Sequence, residues 1–403
     1  MKKPALYWQI LIAFVLAILF GIFFKQQVDY VAWMGTLFLN ALKMIIIPLI
    51  LSSIISGVAN IGDANNLGRL GLKTFGYYIL TSTLALLTGL FFVNIIKPGK
   101  GADLGFTETV EGLSTAKESF GQTLLNIVPQ NIFTAMVENK MLSLIFFAIL
   151  FGFFITRSQP KYKTVLTDLF NAFFDVMMKI TLFIIKFTPF GIFGIVAKQV
   201  ATQENLLELF SRLGLYMLVV LLALAFHSMV ILPLLLKIFG KANPVKHFKA
   251  MRTPLITAFS TSSSNATLPL TMEAVENKAG VSNTITSFTL PLGATVNMDG
   301  TALYELVAAM FIAQAYGIEM SITQQIIIVI TGLLASIGAA GIPMAGLVMI
   351  SVILSAVGLP LEGIGLILAV DRILDMFRTA VNVWSDSCGA VIVAKSEGEQ
   401  TNY

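Results

Sequence analysis

Asp371, Asp375, Arg378, Thr379, Asn382 and Asp386 fall in "DRILDMFRTAVNVWSDSCGAV", part of a run over about 364–393 that is otherwise apolar. At about 100° per residue, all six lie within one helical stripe roughly 100° wide. A charge at the centre of a spanning helix costs roughly 2.5–3.5 kcal/mol on insertion scales. Three acids and one fixed cation on one face must therefore look onto a cavity, a partner or an ion. Two readings stand. In one, Asp375 and Arg378, at i and i+3, pair internally and hold a bundle together. In the other, the arginine fork binds a carboxylate bidentately and Asp375 pairs with an ammonium. Thr379 and Asn382 then supply neutral hydrogen bonds, and the face becomes a pocket for a zwitterion with a second carboxylate.

A second cluster lies in "LGATVNMDGTALYE", residues 292–305. Gly300 is expected to let a helix unwind, with Asn297 and Asp299 flanking Met298. Unwound carbonyls with carboxamide and carboxylate oxygens suit a hard cation. No soft ligands gather there, which disfavours a transition metal. The alternative is a helix kink with a capped end. Glu305 is an isolated acid in an apolar run, either a proton carrier or a partner for a neighbour. A third stretch, "STSSSNATLP" over 260–269, is polar in seven of its ten residues and ends in Pro269. It reads as a turn at membrane depth, with Pro269 starting the returning arm, where a missing N–H costs little. His247 sits in a basic loop and reads as solvated. Neither HExxH, a P-loop nor GxSxG is present, and no nucleophile–base pair is visible, so the chain does not read as an enzyme. Cys388 is the single cysteine, which excludes an internal disulfide.

These clusters need helices to carry them. The 403 residues are 56% hydrophobic and 12% charged, against roughly 25% charged in a soluble domain. Apolar runs long enough to cross a bilayer recur along the chain, so it reads as a polytopic all-α membrane protein. Spans are expected near 5–24, 31–58 (broken by Pro48), 75–96, 141–156, 165–196 (broken at residues 189–191) and 213–238 (broken at Pro233). The polar stretch 97–140 reads as an external loop with a short helix near "NIVPQNIF". The first run is too long for a signal-peptide core and lacks a small-residue cleavage site. Basic loops (Lys2 and Lys3; Arg69 and Lys73; Arg157, Lys161 and Lys163; Lys237 to Arg252) alternate with poor or acidic ones. That pattern places the N-terminus inside.

The last 150 or so residues break the pattern of simple spans. Short apolar arms flank the polar turn at 260–269, and another pair flanks "ASIGAAGIPMAG" at 335–346. Irregular backbone at membrane depth is tolerated only when buried in protein or lining a cavity. Two such breaks suggest two re-entrant helical hairpins, entering from opposite sides. Paired interrupted segments point to the binding site of a transporter built from inverted repeats.

"SSSNATLP", "NMDGTALYE", "GAAGIPMAG" and "DRILDMFRTAVNV", with "YYILTS" and "KMIIIPLI", occur together and in order. The chain resembles the glutamate/aspartate transporters, the dicarboxylate/amino acid:cation symporters, as a prokaryotic member. That resemblance implies eight spans plus two re-entrant hairpins in an elevator-type carrier. It assigns residues 1–70 to scaffold spans one and two, 71–100 to span three of a transport domain, 101–200 to scaffold spans four and five, and 201–403 to the rest of the transport domain. It implies a homotrimer in the cell's inner (plasma) membrane with both termini cytoplasmic. Its partners are the lipid bilayer and an acidic amino acid, with no nucleic acid and no organic cofactor.

Carried over by residue, the resemblance gives Arg378 to the substrate's side-chain carboxylate and Asp375 to its amino group. Thr301, Thr379 and Asn382 complete the pocket, with Ser263 and Ser264 from the first hairpin and Ile342 and Gly346 from the second. One sodium ion would use Gly293, Asn297, Asn382 and Asp386. A second would use Thr295, Ser336, Ile337 and Ala339. A third would use Tyr78, Thr81, Ser82, Asn297 and Asp299. Glu305 matches a proton-carrying glutamate. Ser262 stands where archaeal members have arginine, Arg372 lies one turn before a compensating arginine of animal members, Ala339 replaces a common threonine, and Asn265 and Trp384 are bulkier than expected. The implied function is sodium-coupled symport of L-aspartate or L-glutamate, with proton-coupled glutamate or C4-dicarboxylate symport as the alternative. An anion channel or amino acid sensor is the non-symport alternative; the clustered site looks like an occluding pocket instead of a continuous polar path.

Overall fold

A computed structural model describes residues 6–61, 68–101, 127–138, 140–202, 206–338 and 345–402. Every regular element among them is a helix. Most of the expected external loop lies outside the described residues, as does the turn at 339–344.

Up to residue 202 the described α-helices are α1 (Leu6–Phe23), α2 (Asp29–Ile61), α3 (Gly68–Ile96), α4 (Ile132–Val137), α5 (Met141–Arg157), α6 (Pro160–Ile185) and α7 (Thr188–Thr202). The short α4 begins inside "NIVPQNIF", as expected. Asn131 caps it, accepting from the N–H of Phe133 at 2.8 Å. Two proline expectations are corrected. Pro48 does not break α2, which continues on both sides of it. A single missing N–H removes one bond of a 33-residue ladder, and packing on three neighbouring helices holds the rest. The break in the fifth apolar run falls at Lys186–Phe187, before Pro189; the proline sits in the first turn of α7, where its N–H has no helical role. The two arms meet at a 51° bend.

The remaining helices are α8 (Leu206–Phe226), α9 (Leu232–Ile238), α10 (Pro244–Ala250), α11 (Arg252–Thr261), α12 (Ser264–Asn277), α13 (Asn283–Val296), α14 (Asp299–Ala315), α15 (Ile322–Gly338), α16 (Ala345–Ala356) and α17 (Ile364–Ser396). α8 and α9 are joined by one wide π turn, His227–Ile231. Pro233 explains it: the ring would clash with the carbonyl of Met229, so the helix widens instead of breaking. The helices over 29–60, 69–96 and 211–238 are each long and apolar enough to cross a membrane, and α6 with α7 qualify as one bent pair. α1, α5 and α15 are shorter apolar helices.

Packing falls around two centres. α1 lies on α7, and α2 lies on α5, α6 and α7. Backbones approach closely there: a Cβ on Gly194 would sit 2.6 Å from the Gly35 nitrogen. Small residues allow this contact where lipid gives no hydrophobic drive. The second centre is α14, buried along its length except at Gln314, and enclosed by α3, α8, α15, α16 and α17. The C-terminal tail ties the start of α3 to the connection between α12 and α13. Glu397 pairs with Lys73 at 2.7 Å and with Arg69, and these two cations hold its carboxyl below the usual range. Glu399 accepts from the Ser282 N–H at 3.0 Å, and the Asn402 N–H reaches the Ala279 carbonyl at 2.9 Å.

Candidate functional site

The polar turn at 260–269 is tighter than its composition suggested. α11 runs through Thr261 and α12 begins at Ser264, so only Ser262 and Ser263 are non-helical. Ser262 takes the left-handed conformation, φ 51°. The Ser263 side chain caps α12, accepting from the Ala266 N–H at 3.2 Å. Ser262, Ser263 and Ser264 are buried, while Asn265 is exposed. Pro269 does not start the returning arm. It lies inside α12, because the Ser263 cap opens the helix earlier. α11 and α12 both pack on α17.

Arg378 is 1% exposed at the centre of α17. Its Nε donates to Asp375 Oδ1 and its Nη1 to Asp371 Oδ1, each at 2.9 Å. The internal pairing left open by the i, i+3 spacing is thus present, and Asp371 doubles it. Arg372 approaches Asp375 at 3.8 Å. The guanidinium carbon lies 4.2 Å from the Tyr304 ring centroid, a cation–π stack that fixes its plane. Arg378 Nη2 and Asp371 Oδ2 have no protein hydrogen-bond partner among the described residues. Gly346, at the start of α16, faces the fork: a Cβ there would lie 3.0 Å from Nη1. Glu305 is fully buried, and both its oxygens lack a partner among the described residues.

The break between α13 and α14 is the two residues Asn297 and Met298. Gly300 is not where the chain unwinds; it is helical. A Cβ there would lie 2.5 Å from the Arg378 carbonyl oxygen, so the glycine lets α14 rest on α17. That closeness brings the Gly300 N–H to Asn382 Oδ1 at 2.8 Å, while Asn382 Nδ2 donates to Thr301 Oγ1 at 3.1 Å. Thr379, 5% exposed, is on the same helix face.

Asn297 and Asp299 are fully buried. Asn297 Nδ2 donates to Asp386 Oδ1 at 2.8 Å and Ser385 Oγ at 3.0 Å, and its Oδ1 accepts from Thr81 at 3.2 Å. Asp299 accepts from Ser82 at 2.8 Å and Ser385 at 2.6 Å, and His227 Nε2 lies 3.2 Å away. Tyr78 donates to the Thr289 carbonyl at 2.6 Å, and a Cβ on Gly293 would lie 2.8 Å from its hydroxyl. The Gly293 carbonyl accepts from the Asn297 N–H at 2.9 Å. Carboxylate, carboxamide, hydroxyl and carbonyl oxygens gather here, a mixture that fits a hard cation. Among the described residues, no three His, Cys, Asp or Glu side chains converge as a metal cluster.

The remaining expected residues are less gathered. Thr295 is exposed and turns its hydroxyl onto its own helix, at the Leu292 carbonyl, 2.9 Å. Ser336 is buried and bonds the Leu333 carbonyl at 2.8 Å. Ile337 lies in α15. Ala339 and Ile342 lie outside the described residues.

Four contributors were not foreseen. Ser385 falls just beyond the edge of the α17 stripe, at about 20°, and widening the window would have found it. Tyr304 follows from no pattern in a helix buried on all sides. His227 opens the π turn, and its contact with Asp299 joins positions 72 apart that no local pattern links. His247 corrects the expectation of a solvated loop residue. It is fully buried, 3.1 Å from Ser387 Oγ, with its ring tilted against Trp384 at 5.0 Å. Trp384 in turn donates to the Ser228 carbonyl of the π turn at 3.1 Å.

The chain as a whole is similar to known proteins. The model of the sodium:dicarboxylate symporter family matches residues 6–396. A proton/sodium-glutamate symport protein of Geobacillus stearothermophilus is 40% identical, covering 99% of this chain and 96% of its own. A proton/glutamate-aspartate symporter of Escherichia coli (strain K12) is 36% identical, with 98% and 93% covered. Excitatory amino acid transporter 3 of Mus musculus is 40% identical, with 95% and 84% covered.

Proposed function

The chain belongs to the sodium:dicarboxylate symporter family, whose members are carriers and not enzymes, and from that premise we propose that it takes up acidic amino acids, L-aspartate or L-glutamate, coupled to sodium ions. The observation that carries the reading is the fixed charge of Arg378, buried in α17 with Nη2 unpartnered among the described residues and the side-chain-free Gly346 against it. A guanidinium so placed receives a carboxylate as a charge-assisted pair. The substrate's ammonium takes Asp375, loosening the Asp375–Arg378 bond. Thr301, Thr379 and Asn382 orient the ligand, and the Ser263–Ser264 turn walls it.

Sodium binds at Asp386, Asn297, Asn382 and the Gly293 carbonyl, at Asp299 with Tyr78, Thr81, Ser82 and Asn297, and at Thr295 with Ser336, Ile337 and Ala339. Filling the first two sets fixes the break at 297–298 and so completes the pocket. Charge arithmetic demands the cations, since an acidic amino acid does not accumulate against a negative-inside potential unaided. Glu305 adds a proton. The architecture is eight spans with two re-entrant hairpins in inverted repeats. Residues 1–70 and 101–200 are a trimeric scaffold, and 71–100 and 201–403 are the domain that moves as an elevator. Both termini face the cytoplasm across the plasma membrane.

The test is uptake of labelled aspartate and glutamate into proteoliposomes under imposed sodium and pH gradients. Dependence on neither gradient would overturn symport. One observation favours a second reading. Asp375 lies between Arg378 and Arg372, so its charge is already compensated, which suits a dicarboxylate without an ammonium. Competition by succinate equal to that by aspartate would establish that reading instead.

A further inference from the structure

α10 is a short helix turned between α9 and α11, and its two faces differ in kind. The inner face is fixed to α17 by the His247–Ser387 contact and by Trp384, whose ring lies 5.0 Å from that of His247; Phe248 stands at the edge between the faces, 5.8 Å from the Trp384 ring. On the outer face Val245 is 63% and Phe248 51% exposed, beside exposed Lys246 and Lys249. The flanks continue the alternation, with Ile238, Phe239 and Lys241 on one side and Arg252 and Ile256 on the other, all exposed. Residues 237–252 carry five cations and no Asp or Glu. No ion pair among the described residues engages any of the five.

The preceding apolar helix ends at Ile238, so this segment begins where a span meets the membrane boundary. A soluble polyanion would satisfy the cations but leave Ile238, Phe239, Phe248 and Ile256 in water. A phospholipid satisfies both sets. The rings and branched chains enter the acyl region, while the lysine stems reach up to the phosphates. We infer that the outer face of α10 with its flanks is a seat for anionic phospholipid, in the leaflet where α9 ends. A lipid held there braces α10 against the helix that carries Arg378 and Asp386. Each cation near an anionic surface contributes about 1 kcal/mol, or about fivefold in partition.

The test uses the full chain with Trp8→Phe and Trp33→Phe, which leaves Trp384 as reporter behind Phe248. The protein is reconstituted in phosphatidylcholine vesicles containing phosphatidylglycerol, with bromine on the acyl chains of one lipid or the other. At matched mole fraction, quenching by brominated phosphatidylglycerol is expected to be several-fold the stronger. Replacing Lys241, Lys246, Lys249 and Arg252 with Gln is expected to equalise the two. Equal quenching in the unsubstituted protein, or a preference that survives the four changes, would overturn the assignment. The readout needs no transport, so its failure is separate from failure of the proposed symport.

Discussion

Asn297 Nδ2 donates to Asp386 Oδ1 at 2.8 Å, joining the break between α13 and α14 to a residue 89 positions later on α17. A buried carboxylate without partners is costly, and the unwound residue brings it an amide that a continuous helix would have turned away. A sodium ion seated there draws on the same oxygens, with Asp386 the formal charge of the set. Asp386→Asn should therefore raise the sodium concentration for half-maximal aspartate binding by about tenfold to a hundredfold, the scale of a lost charged contact. A sodium titration of binding checks this, and an unchanged midpoint removes Asp386 from the ion site.

Arg378→Cys deletes the fixed cation and leaves Asp371 and Asp375 without their shared partner. Aspartate affinity should fall by at least about a hundredfold, since two charge-assisted hydrogen bonds are lost. Neutral amino acids should gain, because the vacated volume no longer demands a second carboxylate. Isothermal titration with aspartate and with serine distinguishes the two effects. Retained aspartate affinity would mean the guanidinium serves only the pairing with Asp371 and Asp375 inside α17.

The stripe of acids and the arginine on α17 was legible because helical periodicity and the cost of charge in lipid act on one element at a time. The breaks at 262–263 and 297–298 were legible from polar residues and glycine, but their extents were not. The Ser263 cap starts α12 early and puts Pro269 inside the helix, and Gly300 serves a close approach to Arg378 that only the packed pair reveals. His227 and His247 show the limit most plainly. One meets Asp299 at the start of a π turn and the other is buried against Trp384, and neither placement is written in local composition.

Gly300→Ala tests that close approach. The added carbon would meet the Arg378 carbonyl oxygen at 2.5 Å and its Cα at 2.9 Å, and backbone cannot swing aside as a flexible side chain can. Overpacking of this kind costs about 1–3 kcal/mol, and the shift also pulls the Gly300 N–H from Asn382. A lower melting temperature in detergent is expected together with weaker aspartate binding. Gly76, inside α3 where a Cβ meets nothing within 4 Å, is the control: Gly76→Ala should leave binding unchanged and hold or slightly raise the melting temperature, since alanine favours a helix over glycine by about 0.5–1 kcal/mol.

His247 gives the protein a pH-dependent component of stability. Burial pushes its pKa down to about 3, with the Ser387 hydrogen bond opposing weakly, while the unfolded chain binds a proton near 6.5. Above about pH 6.5 neither state is protonated and the native contacts stand at full strength. Between 6.5 and 3 the unfolded state alone takes up the proton, so stability falls as pH falls. At pH 5 the loss is about 2 kcal/mol for this one group. His247→Asn keeps a partner for Ser387 and removes the titration, at the cost of the stack on Trp384. Melting temperatures in detergent at pH 7.5 and pH 5 should show a smaller drop for the variant than for the unsubstituted protein, although the variant starts lower. Equal drops would place the proton uptake elsewhere and leave His247 as packing alone.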